Sequence, residues 1–218
     1  DTLNKTVHTD QNIEVPYDRL CIATGSHTNF PPVPGLREGK NIFGFRNLND
    51  AEQIKETARN AKNIFIMGAG LVGIDVAAGL INFGKKIYLA DMGSYMMPIQ
   101  LDEYAAGVYQ RLFEERGVTQ FYGMGAREFV LDEQGNCCKV ILQDGTEISV
   151  DLVINCAGVR PNVEFLKDSQ IICDRYGLVI DEYGRTNIED VFGAGDVTGR
   201  TPVWPAAVRE GITAAYAM

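Results

Sequence analysis

Residues 63–80, "NIFIMGAGLVGIDVAAGL", decide how this chain is read. An apolar run, 63–67, enters the spacing Gly68-x-Gly70-x-x-Gly73, and apolar positions at helical intervals follow. This predicts a strand, a tight turn and a helix, an order that suits a dinucleotide pyrophosphate. The first glycine allows the turn, the second lets a phosphate approach the backbone, and the third lets helix and strand pack closely. The helix N-terminus presents N–H groups without intrahelical partners, together with partial positive charge. Gly68, Ala69, Gly70, Leu71, Val72 and Gly73 are therefore expected to line a nucleotide site.

The next strand, "KKIYLAD", ends at Asp91, 23 positions after Gly68. A carboxylate there accepts from both ribose hydroxyls of an adenosine and repels a 2′-phosphate. The following "MGSYMMP" holds no arginine, so NADH is expected over NADPH. S-adenosylmethionine is an alternative adenosine ligand that Asp91 would also suit.

Working outward, "NLNDAEQIKETARNA" reads as a capped helix, and a second helix is expected over 71–83 with Gly84 ending it. Asp102 caps a third helix running to about Arg116, with Gly117 past its end. "AREFVLD", "CCKVILQ" and "EISV" form short strands around turns at "EQGN" and "DG", and "DLVINCAG" closes this α/β unit. Two short strands are expected in "GLVIDEYGRTNIEDVFGAGDV", then a helix in "PAAVREGITAAYAM". The expected divisions are 1–57, 58–176 and 177–218, the middle piece inserted into another domain.

The chain has 218 residues and a net charge of -9, with no cluster of Lys or Arg. Nucleic acid and anionic membrane are therefore not expected partners. Apolar runs are too short to span a bilayer, no signal peptide is visible, and a cytoplasmic location is expected. The five cysteines show no C-x-x-C and no metal spacing. All five are expected to be structural, with Cys21 and Cys156 inside apolar strands and Cys137 and Cys138 on opposite faces of one strand. His8 and His27 carry no catalytic pattern, and the pairs Asp181–Glu182 and Glu114–Glu115 read as solvated surface. Trp204 and Tyr216 flank the last helix, either in the core or near a bound cofactor.

The ordered set "YDRLCIATGS", "GAGLVG", "DLVINCAGVRPN" and "VFGAGDV" resembles the two-dinucleotide flavoproteins. These are the FAD- and NAD(P)-dependent pyridine nucleotide-disulfide oxidoreductases, with their rubredoxin, ferredoxin and nitrite reductase relatives. The likeness covers nearly the whole chain, and "VWPAAVREGITAAYAM" is similar to the rubredoxin reductase and nitrite reductase large-subunit branch. It implies an α/β fold: a Rossmann-like NAD-binding domain, with a parallel sheet and an antiparallel meander in three layers, inserted between parts of an FAD-binding domain. It also implies that Ala23, Thr24 and Gly25 lie along FAD and that Gly195 and Asp196 meet its ribityl chain. Gly158, with Pro161, matches the crossing after the last NAD-domain strand. Asp75 stands where the family usually has glutamate, one methylene longer.

The implied activity is transfer of hydride from NADH to flavin and on to an unidentified acceptor, in a parent that can be a homodimer. No residue pattern marks an acid, base or nucleophile. Family members carry an FAD pyrophosphate loop before, and an interface domain after, the stretch matched here, so the chain is expected to be a fragment. The rival expectation is an NADH-binding module without catalytic activity.

Overall fold

The computed structural model describes all 218 residues, and the chain divides into two compact units. Unit 1 comprises Asp1–His27 and Val159–Met218, and unit 2 comprises Thr28–Gly158. The elements begin with β1 (Thr6–His8), β2 (Glu14–Pro16), β3 (Leu20–Ile22) and β4 (Ser26–Thr28). Then come β5 (Ile42–Gly44), α1 (Leu48–Asn60), β6 (Asn63–Met67), α2 (Leu71–Leu80), β7 (Lys86–Asp91) and α3 (Glu103–Glu115). β8 (Val118–Tyr122), β9 (Ala126–Leu131), β10 (Cys137–Leu142), β11 (Glu147–Ser149) and β12 (Leu152–Asn155) follow. The chain ends with β13 (Val159–Pro161), β14 (Val191–Gly193) and α4 (Trp204–Ala217).

Unit 2 is built on a parallel sheet of order β5-β12-β6-β7-β8. Side chains alternate along β6: Ile64 and Ile66 join one core, Phe65 and Met67 the other. Two covered faces explain why this strand reads as an unbroken apolar run. The first face is covered by α1, α2 and α3 through residues such as Ile54, Val76 and Phe113. The second is covered by the antiparallel meander β11-β10-β9, where Phe129 meets Phe65 edge-on with centroids 6.2 Å apart. The α/β architecture with three layers is thus present.

The expected caps form. Asn47 and Asp50 make a reciprocal capping box on α1, and the Asp102 side chain accepts from the Ala105 N–H at 2.8 Å on α3. α2 ends at Leu80 and tightens into a 3-10 turn, Ile81–Phe83, before Gly84 at φ +66°. Cys137 is buried and Cys138 exposed, as neighbours on one strand should be.

Unit 1 holds the hairpin of β1 and β2, the parallel pair of β3 and β14, and α4. Its core gathers Ile22, Leu166, Ile171, Leu178, Ile180 and Val197. Three expectations change here. The first strand foreseen near Leu178–Ile180 does not form: the Leu178 N–H goes to Val197 and the Val179 N–H to Ile172, two different segments. Cys21 is exposed rather than enclosed, since β3 pairs only with β14. Trp204 (78% exposed) and Tyr216 (90%) pack in no core.

The seams also fall elsewhere than the composition suggests, at 27/28 and 158/159 instead of 57/58 and 176/177. Pairing decides this. β5 is hydrogen-bonded to β12, and Ile54 and Ala58 of α1 lie in the core of unit 2. Leu166 and Ile171 lie in the core of unit 1.

Candidate functional site

Each glycine of the 68–73 turn has its own physical reason. Gly68 sits at φ +108°, and a Cβ there would meet the Cys156 carbonyl oxygen at 2.5 Å. At Gly73 a Cβ would lie 1.9 Å from the Gly68 carbonyl oxygen, so only glycine lets α2 approach the strand end. Gly70 differs: a Cβ would meet nothing within 4 Å. Its backbone therefore borders open space in which a ligand has room.

The N-terminus of α2 carries no side-chain acceptor of its own. Gly70 is the N-cap and offers no side chain to the first N–H groups, and the first turn contains no acid. The helix's partial positive charge thus meets no internal counter-charge. Leu71 and Val72 are partly exposed beside it, at 47% and 44%.

Asp91 is brought to this turn. Its Oδ2 accepts from the Ala69 N–H at 2.6 Å and its Oδ1 from the Gly93 N–H at 2.6 Å. An ionised carboxylate offers about four lone-pair sites, so two remain for hydroxyl donors. Across the β7–β8 ladder, Tyr122 faces Asp91 and donates its O–H to Gln120 at 2.7 Å. Burial and then the Asp91 charge push its phenol up, which keeps it a neutral donor.

The turn occupies the outer end of β6, where β12 lies on one side and β7 on the other. Ligands of open parallel sheets collect outside such carboxyl ends, where the chain connections diverge. Gly158, at φ +84°, closes the segment Cys156–Gly158 that backs the turn. Burial pushes the Cys156 thiol up to about 12, so it is no nucleophile at neutral pH.

Asp75 is not gathered with the others. It is exposed on α2 and lines a groove of about 330 Å³ with Phe45, Ala51, Lys55, Val76 and Phe83.

In unit 1 the residues foreseen for a flavin form a second set. Gly25 (φ +69°) and Gly195 (φ +80°) hold left-handed turns. The Ala194 N–H donates to the Ile22 carbonyl at 3.1 Å, bringing Ala23 beside Gly195. Asp196 is the second residue of a 3-10 turn, Gly195–Thr198, and its Oδ2 accepts from the Ser26 hydroxyl at 2.9 Å. The Gly195 N–H donates to Glu210 at 2.8 Å, anchoring the same turn to α4.

Two residues absent from the sequence reading hold this set. Ser26 is one. Asn162 is the other: it donates from Nδ2 to the Thr24 carbonyl at 2.9 Å and from its backbone N–H to Gly25 at 3.0 Å, and its carbonyl accepts from the Thr24 hydroxyl at 2.9 Å. Its Oδ1 meets His27 Nδ1 at 2.6 Å, so that exposed histidine serves as a partner of the turn. Asn162 directly follows Pro161 at the end of "DLVINCAGVRPN".

The family model described as pyridine nucleotide-disulphide oxidoreductase matches residues 1–211. The chain belongs to that family. An NADH oxidase of Enterococcus faecalis is 35% identical over 192 residues, covering 88% of this chain and 43% of the relative. A nitrite reductase [NAD(P)H] of Bacillus subtilis is 33% identical over 196 residues, covering 90% of this chain and 24% of the relative. The chain therefore spans less than half the length of either. Among solved structures, a water-forming NADH oxidase from Lactobacillus brevis bound to NADH superposes with a TM-score of 0.88. It is 27% identical, over 99% of this chain and 50% of its own. NAD(H) and FAD are the cofactors expected of this family.

No helix is long and apolar enough to cross a membrane.

Proposed function

We propose that unit 2 binds NADH and that unit 1 contributes to an FAD site, in an NADH-dependent flavoprotein oxidoreductase. The observation that carries this is the contrast within the turn: backbone crowds Gly68 and Gly73, while Gly70 faces open space. A strand-to-helix turn without a ligand has no need of a bare backbone at that position. With both cofactors bound, the chemistry supplied is hydride transfer from nicotinamide to flavin.

The chain's own residues bind and orient. The first N–H groups of α2 receive the pyrophosphate, and Asp91 receives the ribose hydroxyls while excluding a 2′-phosphate. In unit 1, Asp196 is held by Ser26 as an acceptor for hydroxyls of the flavin chain, and Asn162 fixes the Thr24–Gly25 turn. Asp75, exposed on α2, lines a separate groove with Lys55 and Phe83, and no binding role is assigned to it. The electron acceptor is left open: the names of the relatives cover both oxidase and nitrite reductase.

The test is a visible spectrum of the purified chain after incubation with FAD and desalting, followed by addition of NADH. A retained yellow flavin that NADH bleaches supports the reading. A colourless chain that still binds NADH would favour a nucleotide-binding module without catalysis. A chain that binds neither would refute the assignment.

A further inference from the structure

Met97 is a non-glycine residue held at φ +51°, although it lies in a connection, 92–102, where an ordinary loop would relax to negative φ. Strain of this kind persists only where surrounding contacts over-determine it. The contacts here are specific. The Met97 N–H donates to the Ala69 carbonyl at 3.0 Å, and its own carbonyl accepts from the N–H groups of Gln100 and Leu101 at 3.0 and 2.9 Å. The side chains of Met96 and Met97 are buried in the helix-side core.

Ala69 is thus held from both sides. Its N–H donates to Asp91 Oδ2 and its carbonyl accepts from Met97, which closes a ring through residues 91–97. The tip of β8 braces the same ring, because the Gly123 N–H donates to Gly93 at 2.8 Å and the Met124 N–H to the Asp91 carbonyl at 3.2 Å.

We infer that residues 92–98 form a latch between the phosphate turn and the ribose acceptor, with Met97 as the positioning residue that closes it. The inference rests on the NADH reading of that turn. Two fixed N–H donors leave the Asp91 carboxylate one orientation, and admitting a 2′-phosphate requires it to swing away and break both bonds. The preference for NADH over NADPH therefore depends on the backbone of Met97 as well as on the charge of Asp91.

The test compares wild type, Met97→Gly and Met97→Val. Glycine adopts positive φ without penalty and keeps the N–H, whereas a β-branched residue resists that region. Dissociation constants for NADH and NADPH are measured by nicotinamide fluorescence, and exchange of the Ala69 amide by NMR in the ligand-free chain. Met97→Val is expected to weaken NADH about tenfold, the scale of one lost hydrogen bond. It should weaken NADPH less, so that the ratio of the two constants falls, and Ala69 exchange should rise. Met97→Gly should keep the wild-type ratio and exchange. If the glycine variant fails to fold, Met97→Leu replaces it, since leucine keeps the buried apolar volume and, unlike valine, is not β-branched.

Equal weakening of both nucleotides with unchanged Ala69 exchange would overturn the latch, leaving Met97 a packing residue. Glycine and valine variants that lose the ratio alike would overturn the backbone argument. Wild type without NADH binding would instead overturn the functional reading, while Ala69 exchange would still decide whether the latch exists.

Discussion

Gly70 and Gly73 are chemically identical, three positions apart, and should respond to the same added methyl in opposite ways. At Gly73 the new Cβ would sit 1.9 Å from the Gly68 oxygen, roughly 1.6 Å inside ordinary van der Waals contact. Backbone meets backbone there, so the helix must retreat, at a cost of about 3 kcal/mol. For a chain of this size that lowers Tm by roughly 6–12 °C. At Gly70 the Cβ meets no atom, and φ -78°, ψ -173° suits alanine. A weaker N-cap costs up to about 1 kcal/mol. Reduced freedom of the unfolded chain returns roughly 0.4–1 kcal/mol. Tm should therefore stay within about 2 °C.

Ligand binding should invert the order of visibility. The Gly70→Ala methyl fills the space through which a phosphate reaches the helix N–H groups. Losing one such charged hydrogen bond costs about 1.5–3 kcal/mol, a rise of roughly 10–150-fold in Kd. Thermal unfolding with and without NADH reads both effects. At a concentration 100 times the wild-type Kd, NADH stabilises the wild type by about 2.7 kcal/mol, against about 0.4 kcal/mol for a variant bound 100-fold more weakly. A Gly70→Ala chain that keeps the full NADH-induced rise would refute the placement of the pyrophosphate at this turn. A Gly73→Ala chain as stable as wild type would refute the packing argument.

Other outcomes follow from the same contacts. Asp91→Asn turns one oxygen into a donor facing the Ala69 or Gly93 N–H, so NADH affinity should fall about tenfold or more. Discrimination against NADPH should shrink in parallel, and titration with both nucleotides checks it. Ser26→Ala removes the donor on Asp196 Oδ2, and the chain should fold but release FAD more readily on desalting. Unchanged flavin occupancy would remove Ser26 from the site. Burial pushes the Cys137 and Cys156 thiols from 9.0 up to about 12. Being raised in the folded state, they contribute stability that is complete below pH 9 and is lost as pH climbs towards 12. Denaturant midpoints should fall across that window, and Cys137→Ala with Cys156→Ala should flatten the fall.

What was legible in the sequence was what the backbone enforces locally. The helix at Leu71 follows from the glycine turn, the one at Glu103 from its Asp102 cap, and the opposite faces of Cys137 and Cys138 from strand geometry. Failures came where pairing is distant. The apolar run Leu178–Ile180 looks like a strand, but the Leu178 N–H reaches Val197 and the Val179 N–H reaches Ile172 instead of one neighbour. The division into the two compact units was not legible, because nothing near Ile42 announces that it pairs with Val153. Ser26, Asn162 and Met97 were missed for a related reason: each acts on a residue far along the chain or through a backbone angle that side-chain identity conceals.

The glycine fingerprint shows how local and distant causes join. Gly68 is usually explained by the sharpness of its turn, and its φ of +108° supports that. The turn is only half of the constraint. The atom a side chain at 68 would strike is the carbonyl oxygen of Cys156, on a segment that reaches the site only because β12 is inserted beside β6. The Cβ of Cys156 in turn lies 3.5 Å from where a Cβ at Gly73 would stand. The motif is therefore shaped by a strand end almost ninety residues away. The Cys156 carbonyl would demand glycine at 68 even if no nucleotide were bound. Only Gly70, whose bare position no protein atom requires, separates a site that holds a ligand from a turn that merely packs.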